Sequence, residues 1–78
     1  MKYIEGDVDI RGLFFKEIPK ELSDIVVGGG FYCSNNHLTT LAGAPQKVGG
    51  DFSCQNNKAR FTEEDVRRVC NVRGKVFV

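Results

Sequence analysis

The sequence predicts an α/β repeat fold, a short parallel β-solenoid of four coils with a C-terminal helix before the last strand. The main observation is a ten-residue segment at 27–36, VGGGFYCSNN, which recurs as VGGDFSCQNN at 48–57. Weaker copies occupy residues 4–10 and 72–78 and keep the glycine and the alternating apolar positions. A period of about 20 to 50 residues is typical of arrays whose units pack only on their neighbours.

The four copies begin near residues 4, 27, 48 and 72, and we interpret residues 1–78 as a single repeat domain. Each copy ends in apolar residues two positions apart, which is the pattern of a strand with one buried face. The connecting segments are too long for hairpins and would return the chain to begin a neighbouring parallel strand. We therefore expect one strand per coil, with these pairs facing the core: Val8 and Ile10, Phe31 and Cys33, Phe52 and Cys54, Val76 and Val78.

The connecting segments predict different local structures. Residues 62–70 begin with Thr62, have Asp65 three positions later, and place acidic before basic residues, which is typical of a capped α-helix. Residues 19–25 begin with a proline and predict a short helical turn. Residues 41–47 contain both a glycine and a proline, and we expect no more than a turn or a 3₁₀ piece there.

Recurring positions flank each strand. The glycines before the strand predict a tight corner, and they lead into a strand rather than into the helix that follows a phosphate-binding loop. The asparagines after it, Asn35-Asn36 and Asn56-Asn57, are expected to satisfy backbone groups of the turn. The corner glycines are Gly6, Gly29, Gly50 and Gly74.

Composition and charge exclude several classes of protein. The chain is 41% hydrophobic and 27% charged, as ordinary globular proteins are, and no apolar run is long enough for a membrane span. Acidic residues stand where a signal peptide would be apolar, so we expect a cytoplasmic protein. Residues 1–24 have a net charge of −2 and residues 58–78 of +3. That second segment contains a basic patch, which suggests nucleic-acid binding as a further and weaker hypothesis. The patch consists of Arg60, Arg67, Arg68 and Arg73.

Cys33, Cys54 and Cys70 are the only residues that suggest a metal or redox centre, with His37 nearby in sequence. Zinc sites usually contain a close cysteine pair, which this chain lacks, and an odd number of cysteines favours reduced thiols. We interpret the cysteines as small apolar groups of the core, with zinc and a disulfide as weaker alternatives. Catalysis by a thiol needs an accessible cysteine of low pKa with a base beside it, and His37 is the only candidate base. We therefore expect no enzymatic activity, and we expect no cofactor.

The motif Phe31-x-Cys33-x-x-Asn36-x-Leu38-x-x-Leu41 resembles the signature of a leucine-rich repeat. In that family an asparagine satisfies the backbone of the turn and leucines fill the core. The sequence pattern VGGDFxCxNNxLTxLxGAPxxV also resembles tandem repeats of small accessory proteins of large tailed bacteriophages. The resemblance implies a non-enzymatic module that binds proteins, and a role in inhibiting or redirecting a factor of the host cell.

The outward strand positions form the candidate binding surface, because no core contact dictates them. Tyr32 and Phe77 fall in one lateral row and resemble the aromatic anchors of protein interfaces. The last strand, at 72–78, has an open edge, which suggests a homodimer or a self-assembling phage component as an alternative. The candidate partner-binding residues are Asp9, Arg11, Tyr32, Ser34, Asp51, Ser53, Gln55, Lys75 and Phe77.

Overall fold

The computed structural model of the protein describes all 78 residues as two four-stranded parallel sheets, one α-helix and one 3₁₀ helix. The first sheet contains β1 (Lys2–Ile4), β3 (Ile25–Val27), β5 (Lys47–Val48) and β7 (Asn71–Val72) in that order. The second contains β2 (Val8–Asp9), β4 (Phe31–Tyr32), β6 (Phe52–Ser53) and β8 (Val76–Phe77). The α-helix, α1, spans Glu63–Val69, and the 3₁₀ helix spans Lys20–Asp24.

Each repeat contributes two strands rather than the single strand predicted from the sequence. The aliphatic residue before the glycine corner ends a strand of the first sheet, and the alternating residues after the corner enter the second sheet. The glycines bend the chain between two extended segments, and each segment then finds its own neighbours in the adjacent repeats. The period-two signal revealed only the second segment, because apolar residues recur there two positions apart, whereas the first segment keeps a single recurring aliphatic residue before the corner.

The copies of the repeat lie side by side in parallel, as their spacing predicts. In the first sheet Ile4 pairs with Val27, Val27 with Val48, and Val48 with Val72. In the second sheet the corresponding row is Val8, Phe31, Phe52 and Val76. Equivalent positions of the repeat therefore stack in lateral rows, and this register places Asp9, Tyr32, Ser53 and Phe77 in one of them.

The corner glycines are required for two different reasons, and both match the sequence-based prediction. Gly6 has a φ of +88°, in the region that favours glycine, and has open space around it. At Gly29 an ideal Cβ atom would lie 2.8 Å from the carbonyl carbon and oxygen of Gly6. At Gly74 it would lie 2.6 Å from the carbonyl oxygen of Gly50. The corners thus stack backbone on backbone, which brings neighbouring repeats together without intervening side chains.

The core lies between the two sheets and the connecting segments. Phe31 and Phe52 are fully buried, and their ring centroids lie 5.2 Å apart. The same core cluster contains Val27 of β3 and Val48 of β5 in the first sheet. It also contains Leu38, from the connecting segment after β4. All of these residues except Leu38 belong to the repeated segments 27–36 and 48–57, so the two middle repeats supply much of the apolar interior.

The connecting segments adopt the predicted local structures. Thr62 is the N-cap of α1, with its hydroxyl accepting from the Asp65 backbone N–H at 3.1 Å and the Asp65 carboxylate accepting from the Thr62 N–H at 2.9 Å. This reciprocal pair is a capping box and explains why the helix begins at Glu63. Pro19 immediately precedes the 3₁₀ helix, and residues 41–44 form a turn closed by the Ala44 N–H and the Leu41 carbonyl.

Candidate interaction surface

The outer row of the second sheet consists of Asp9, Tyr32, Ser53 and Phe77, which pair in register from β2 to β8. Phe77 is 42% exposed and Tyr32 is partly exposed. Because parallel strands are about 4.8 Å apart, the two aromatic residues are separated by about 10 Å across the sheet. The row therefore presents two aromatic groups with a small residue, Ser53, between them.

A charged pair covers the N-terminal end of the outer row. The Arg11 side chain donates two hydrogen bonds to the Asp9 carboxylate, at 2.9 and 2.8 Å, and its guanidinium lies 5.1 Å from the centroid of the Tyr32 ring. The Arg11 side chain, and then its backbone N–H, hold the pKa of Asp9 at about 2. Both charges thus persist at neutral pH, with the cation held against an aromatic face.

Two of the predicted surface residues are buried, which corrects the expectation that all outward positions are exposed. Ser34 is 6% exposed and Ser53 is 8% exposed. A short side chain between longer neighbours in a lateral row retains little surface of its own, and Ser53 lies between Tyr32 and Phe77. The exposed members of the predicted set are Asp9, Arg11, Gln55, Lys75 and Phe77, with Tyr32 and Asp51 partly exposed.

Asp51, expected to be free for a partner, has a structural contact. Its Oδ1 atom accepts a hydrogen bond from the backbone N–H of Lys75 at 2.8 Å. Asp7 does the same for the N–H of Gly30 at 2.7 Å, two repeats earlier in the same row. These aspartates satisfy a donor of the next repeat beside the glycine corner. Sequence reasoning missed this role, although both residues follow a corner glycine directly.

Two arginines of the basic patch form ion pairs on the surface of α1. Arg67 binds Glu63 at 2.9 Å and donates to the carbonyl oxygens of Val72 and Gly74, at 2.8 and 3.1 Å, which ties α1 to the last corner. Arg68 lies 3.9 Å from Glu64 and 3.8 Å from Asp65. Two of the four arginines of the predicted basic patch, Arg67 and Arg68, therefore lie beside acidic side chains of α1. Arg60 and Arg73 are the two that form no ion pair.

The two asparagines that follow β4, and the two that follow β6, have different structural roles. Asn35 and Asn56 have φ values of 58° and 55°, a left-handed conformation that asparagine tolerates better than most residues. Asn36 and Asn57 direct their amides inward: Asn36 accepts from the N–H groups of Leu13 and Phe15 at 3.0 Å each and donates to the Ile10 carbonyl at 2.9 Å. The predicted satisfaction of turn backbone is confirmed for the second asparagine, and the first shapes the turn.

All three cysteines are free and buried in the core, as their interpretation as small apolar groups predicts. Burial raises the pKa of Cys54 and of Cys70 to about 11, and raises the pKa of Cys33 further. Thiols in this environment stay protonated at neutral pH and behave as apolar groups. No group of three or more His, Cys, Asp or Glu side chains is placed so that it could hold a metal ion.

We expect the thiols of the folded protein to react slowly with a disulfide reagent at pH 8 and rapidly in urea. With pKa values of about 11, only about one Cys54 or Cys70 thiol in a thousand is ionised at that pH. Stability should also fall as pH rises from about 9 towards 11, because unfolded thiols lose their protons before the buried ones do. Spectrophotometric thiol counting checks the first statement. Rapid labelling of all three thiols without urea would contradict it.

An exposed aromatic residue lies beside a polar cleft that sequence reasoning did not identify. Phe14 is 76% exposed, has a φ of 62°, and stacks on His37 with ring centroids 5.8 Å apart. A bulky residue with positive φ is uncommon and is held there by its surroundings. The adjacent cleft, of about 750 Å³, offers two ammonium groups and an imidazole, and it is lined by Lys16, Glu17, His37, Thr39 and Lys58.

No protein-family model, curated protein or solved structure matches this chain. The helices of the structure are all too short, or too polar, to cross a bilayer.

Proposed function

We propose that the chain is a short β-solenoid of the leucine-rich-repeat type that binds a protein partner through its second sheet and catalyses no reaction. The observation that carries this proposal is the register of the outer row, which places Tyr32 and Phe77 two strands apart on one face. The inward asparagine amides and the stacked glycine corners support the solenoid interpretation.

The chemistry of the outer row suits a protein interface. Binding energy at interfaces concentrates in a few aromatic and arginine residues that enter partner pockets, surrounded by polar contacts that exclude water. Tyr32 with the Arg11 guanidinium above it offers one such group, and Phe77 offers a second. The buried Ser53 between them leaves a shallow gap that a partner side chain could fill. Gln55 and Lys75 supply the polar rim.

The partner suggested by the phage resemblance is a bacterial host factor in the cytoplasm. The reduced, buried cysteines fit a reducing compartment, where disulfides are rare. Their raised pKa values leave the chain without an activated thiol, which supports binding rather than catalysis. The nucleic-acid hypothesis gains no support, because Arg67 and Arg68 already contact acidic neighbours.

The proposal is tested by capture from a bacterial lysate with three immobilised proteins. The wild-type chain and a Tyr3→Ala control, altered at an exposed tyrosine of the first sheet, should retain the same stoichiometric protein. A Tyr32→Ala, Phe77→Ala double variant should bind it at least tenfold more weakly, because each anchor is worth about 1–2 kcal/mol or more. Circular dichroism establishes that the double variant is folded. Equal capture by all three proteins, or no specific capture by any, would refute the proposal.

A further inference from the structure

The connecting segments that follow β2, β4 and β6 form a third face of the molecule. They run side by side, with the His37 N–H bound to the Phe15 carbonyl at 2.8 Å and the Ala59 N–H bound to the Leu38 carbonyl at 2.9 Å. Leu38 is fully buried, whereas the residues on either side of it are exposed. The exposed positions recur in three repeats and form two lateral rows, which we call the connecting-segment face: Phe14, His37 and Lys58 in one row, and Lys16, Thr39 and Arg60 in the other.

The cations of the connecting-segment face have no acidic partner. Lys16, Lys58 and Arg60 are exposed and form no ion pair. Glu17 is the one carboxylate that lines the cleft of about 750 Å³ beside Lys16 and Lys58. Thr39, in the middle of the row from Lys16 to Arg60, adds a hydroxyl group. Because three cations face one carboxylate, this surface attracts anions.

Two clefts adjoin along the same face and give it an elongated shape. The first is the cleft of about 750 Å³, and the second, of about 470 Å³, contains Arg60. Both are lined by Thr39, so the cationic surface extends from Lys16 to Arg60. The other charges of the second cleft, Arg68 and Asp65, lie 3.8 Å apart and offset each other. A linear polyanion fits this shape better than a compact anion does.

An aromatic pair lies beside these cations. The rings of Phe14 and His37 are stacked, with an angle of 17° between their planes. His37 has Phe14 on one side and Lys58 on the other and is still exposed, so this position of the repeat faces solvent inside the array. The backbone N–H groups on both sides of Phe14 bind the Asn36 side-chain oxygen at 3.0 Å each. The turn therefore holds the exposed Phe14 ring in place, which lowers the entropy lost when a planar group binds it.

The combination of unpaired cations and exposed aromatic rings suits single-stranded nucleic acid. In such sites the cations follow the phosphates, and the rings stack on bases whatever their sequence. A small-molecule pocket would bury most of its ligand, whereas all six side chains of this face are exposed. An acidic peptide would bind the cations and leave the aromatic pair without a planar group to stack on.

We propose that the connecting-segment face binds single-stranded DNA or RNA. Lys16, Lys58 and Arg60 contact successive phosphates, and a base stacks on the aromatic pair of Phe14 and His37. This site goes beyond the protein binding proposed above, which uses the outer row of the second sheet. It also differs from the basic patch predicted from the sequence. The two share only Arg60, and the ion-paired arginines of α1 take no part in the site.

Fluorescence anisotropy with three labelled strands of about ten nucleotides tests the site: oligo(dT), oligo(U) and an abasic strand of equal charge. For the wild-type protein, the logarithm of the association constant should fall with the logarithm of salt concentration with a slope of about −2, since each of three phosphate contacts contributes about −0.7. Lys58→Ala should weaken binding of all three strands and reduce that slope to about −1.4. Lys47→Ala, which alters an exposed lysine of β5, is the matched control and should bind as the wild type does.

Phe14→Ala separates stacking from charge. It should weaken binding of oligo(dT) and oligo(U) at least about fivefold, because a base stacked on an aromatic ring contributes about 1–3 kcal/mol. The salt slope should not change, since no phosphate contact is lost. Binding of the abasic strand should be weaker than that of oligo(dT) in the wild-type protein and unaffected by Phe14→Ala.

The outcomes separate this inference from the proposed function. Dissociation constants above about 0.1 mM at low salt for both oligo(dT) and oligo(U) overturn it, because even non-specific binding is usually tighter. Equal binding of the abasic strand, or of poly-glutamate, also overturns it, since charge alone would then account for the affinity. The Tyr32→Ala, Phe77→Ala double variant of the lysate experiment should bind oligo(dT) as the wild type does, so either proposal can fail without the other.

Discussion

Replacing Phe31 with alanine is expected to lower the free energy of unfolding by about 3–5 kcal/mol. The side chain is fully buried and packs on Phe52 in the centre of the array, with repeats on both sides, so the structure has little freedom to close the cavity. A chain of this length is expected to have a total stability of about 4–12 kcal/mol. The variant should therefore be close to unfolding at room temperature. Urea denaturation followed by circular dichroism measures the change.

Phe14→Ala is the matched control for this prediction. It removes the same side chain from a position that is 76% exposed, and we expect a change within about 0.5 kcal/mol. Alanine at position 14 would keep the same positive φ, so the backbone strain is similar in the wild-type protein and in Phe14→Ala. If the two variants lost equal stability, the central position of Phe31 in the core would be wrong.

Replacing Asn36 with alanine should cost about 1–3 kcal/mol through backbone groups that lose their partner. The amide accepts from the N–H groups of Leu13 and Phe15 and donates to the carbonyl of Ile10, all in the preceding repeat. Because these groups are partly or fully shielded, water replaces the lost hydrogen bonds incompletely. Thermal or urea unfolding measures the effect, which should be accompanied by faster hydrogen exchange at Leu13 and Phe15.

The neighbouring asparagine provides the control. Asn35→Gly keeps the left-handed turn accessible, since glycine adopts a φ near 58° without strain, and Asn35 makes no inward side-chain contact. We expect a change of a few tenths of a kcal/mol. A loss as large as that of Asn36→Ala would mean that the turn conformation, rather than the amide contacts, stabilises this part of the fold.

The repeat allowed the parallel arrangement to be predicted from the sequence. Because Val27 and Val48 occupy equivalent positions in the two strongest copies, their pairing in one row follows from the period, and the weaker copies extend it to Ile4 and Val72. The division of each repeat into two strands was missed. The first strand of each pair keeps one recurring aliphatic residue before the corner, and a single position gives no alternating pattern.

The roles of individual polar residues could not be predicted in the same way. Asp7 and Asp51 bind donors in the following repeat, 23 and 24 residues further along the chain. Arg67, one of the four arginines of the predicted basic patch, donates to two carbonyls at the last corner. Such contacts depend on side-chain direction and on the length of each connecting segment, which the period does not specify.

The sequence by itself determined which residues share a row, because each glycine corner is followed at the same offset by alternating apolar residues, which aligns the copies in one register. It also determined the capped helix, because the Thr62–Asp65 pair lies within four residues of chain. Only the tertiary structure decided which row members meet solvent and which charges remain unpaired. The exposure of Ser53 depends on the side chains of two other repeats. Whether an arginine is paired depends on which acidic group the fold brings beside it.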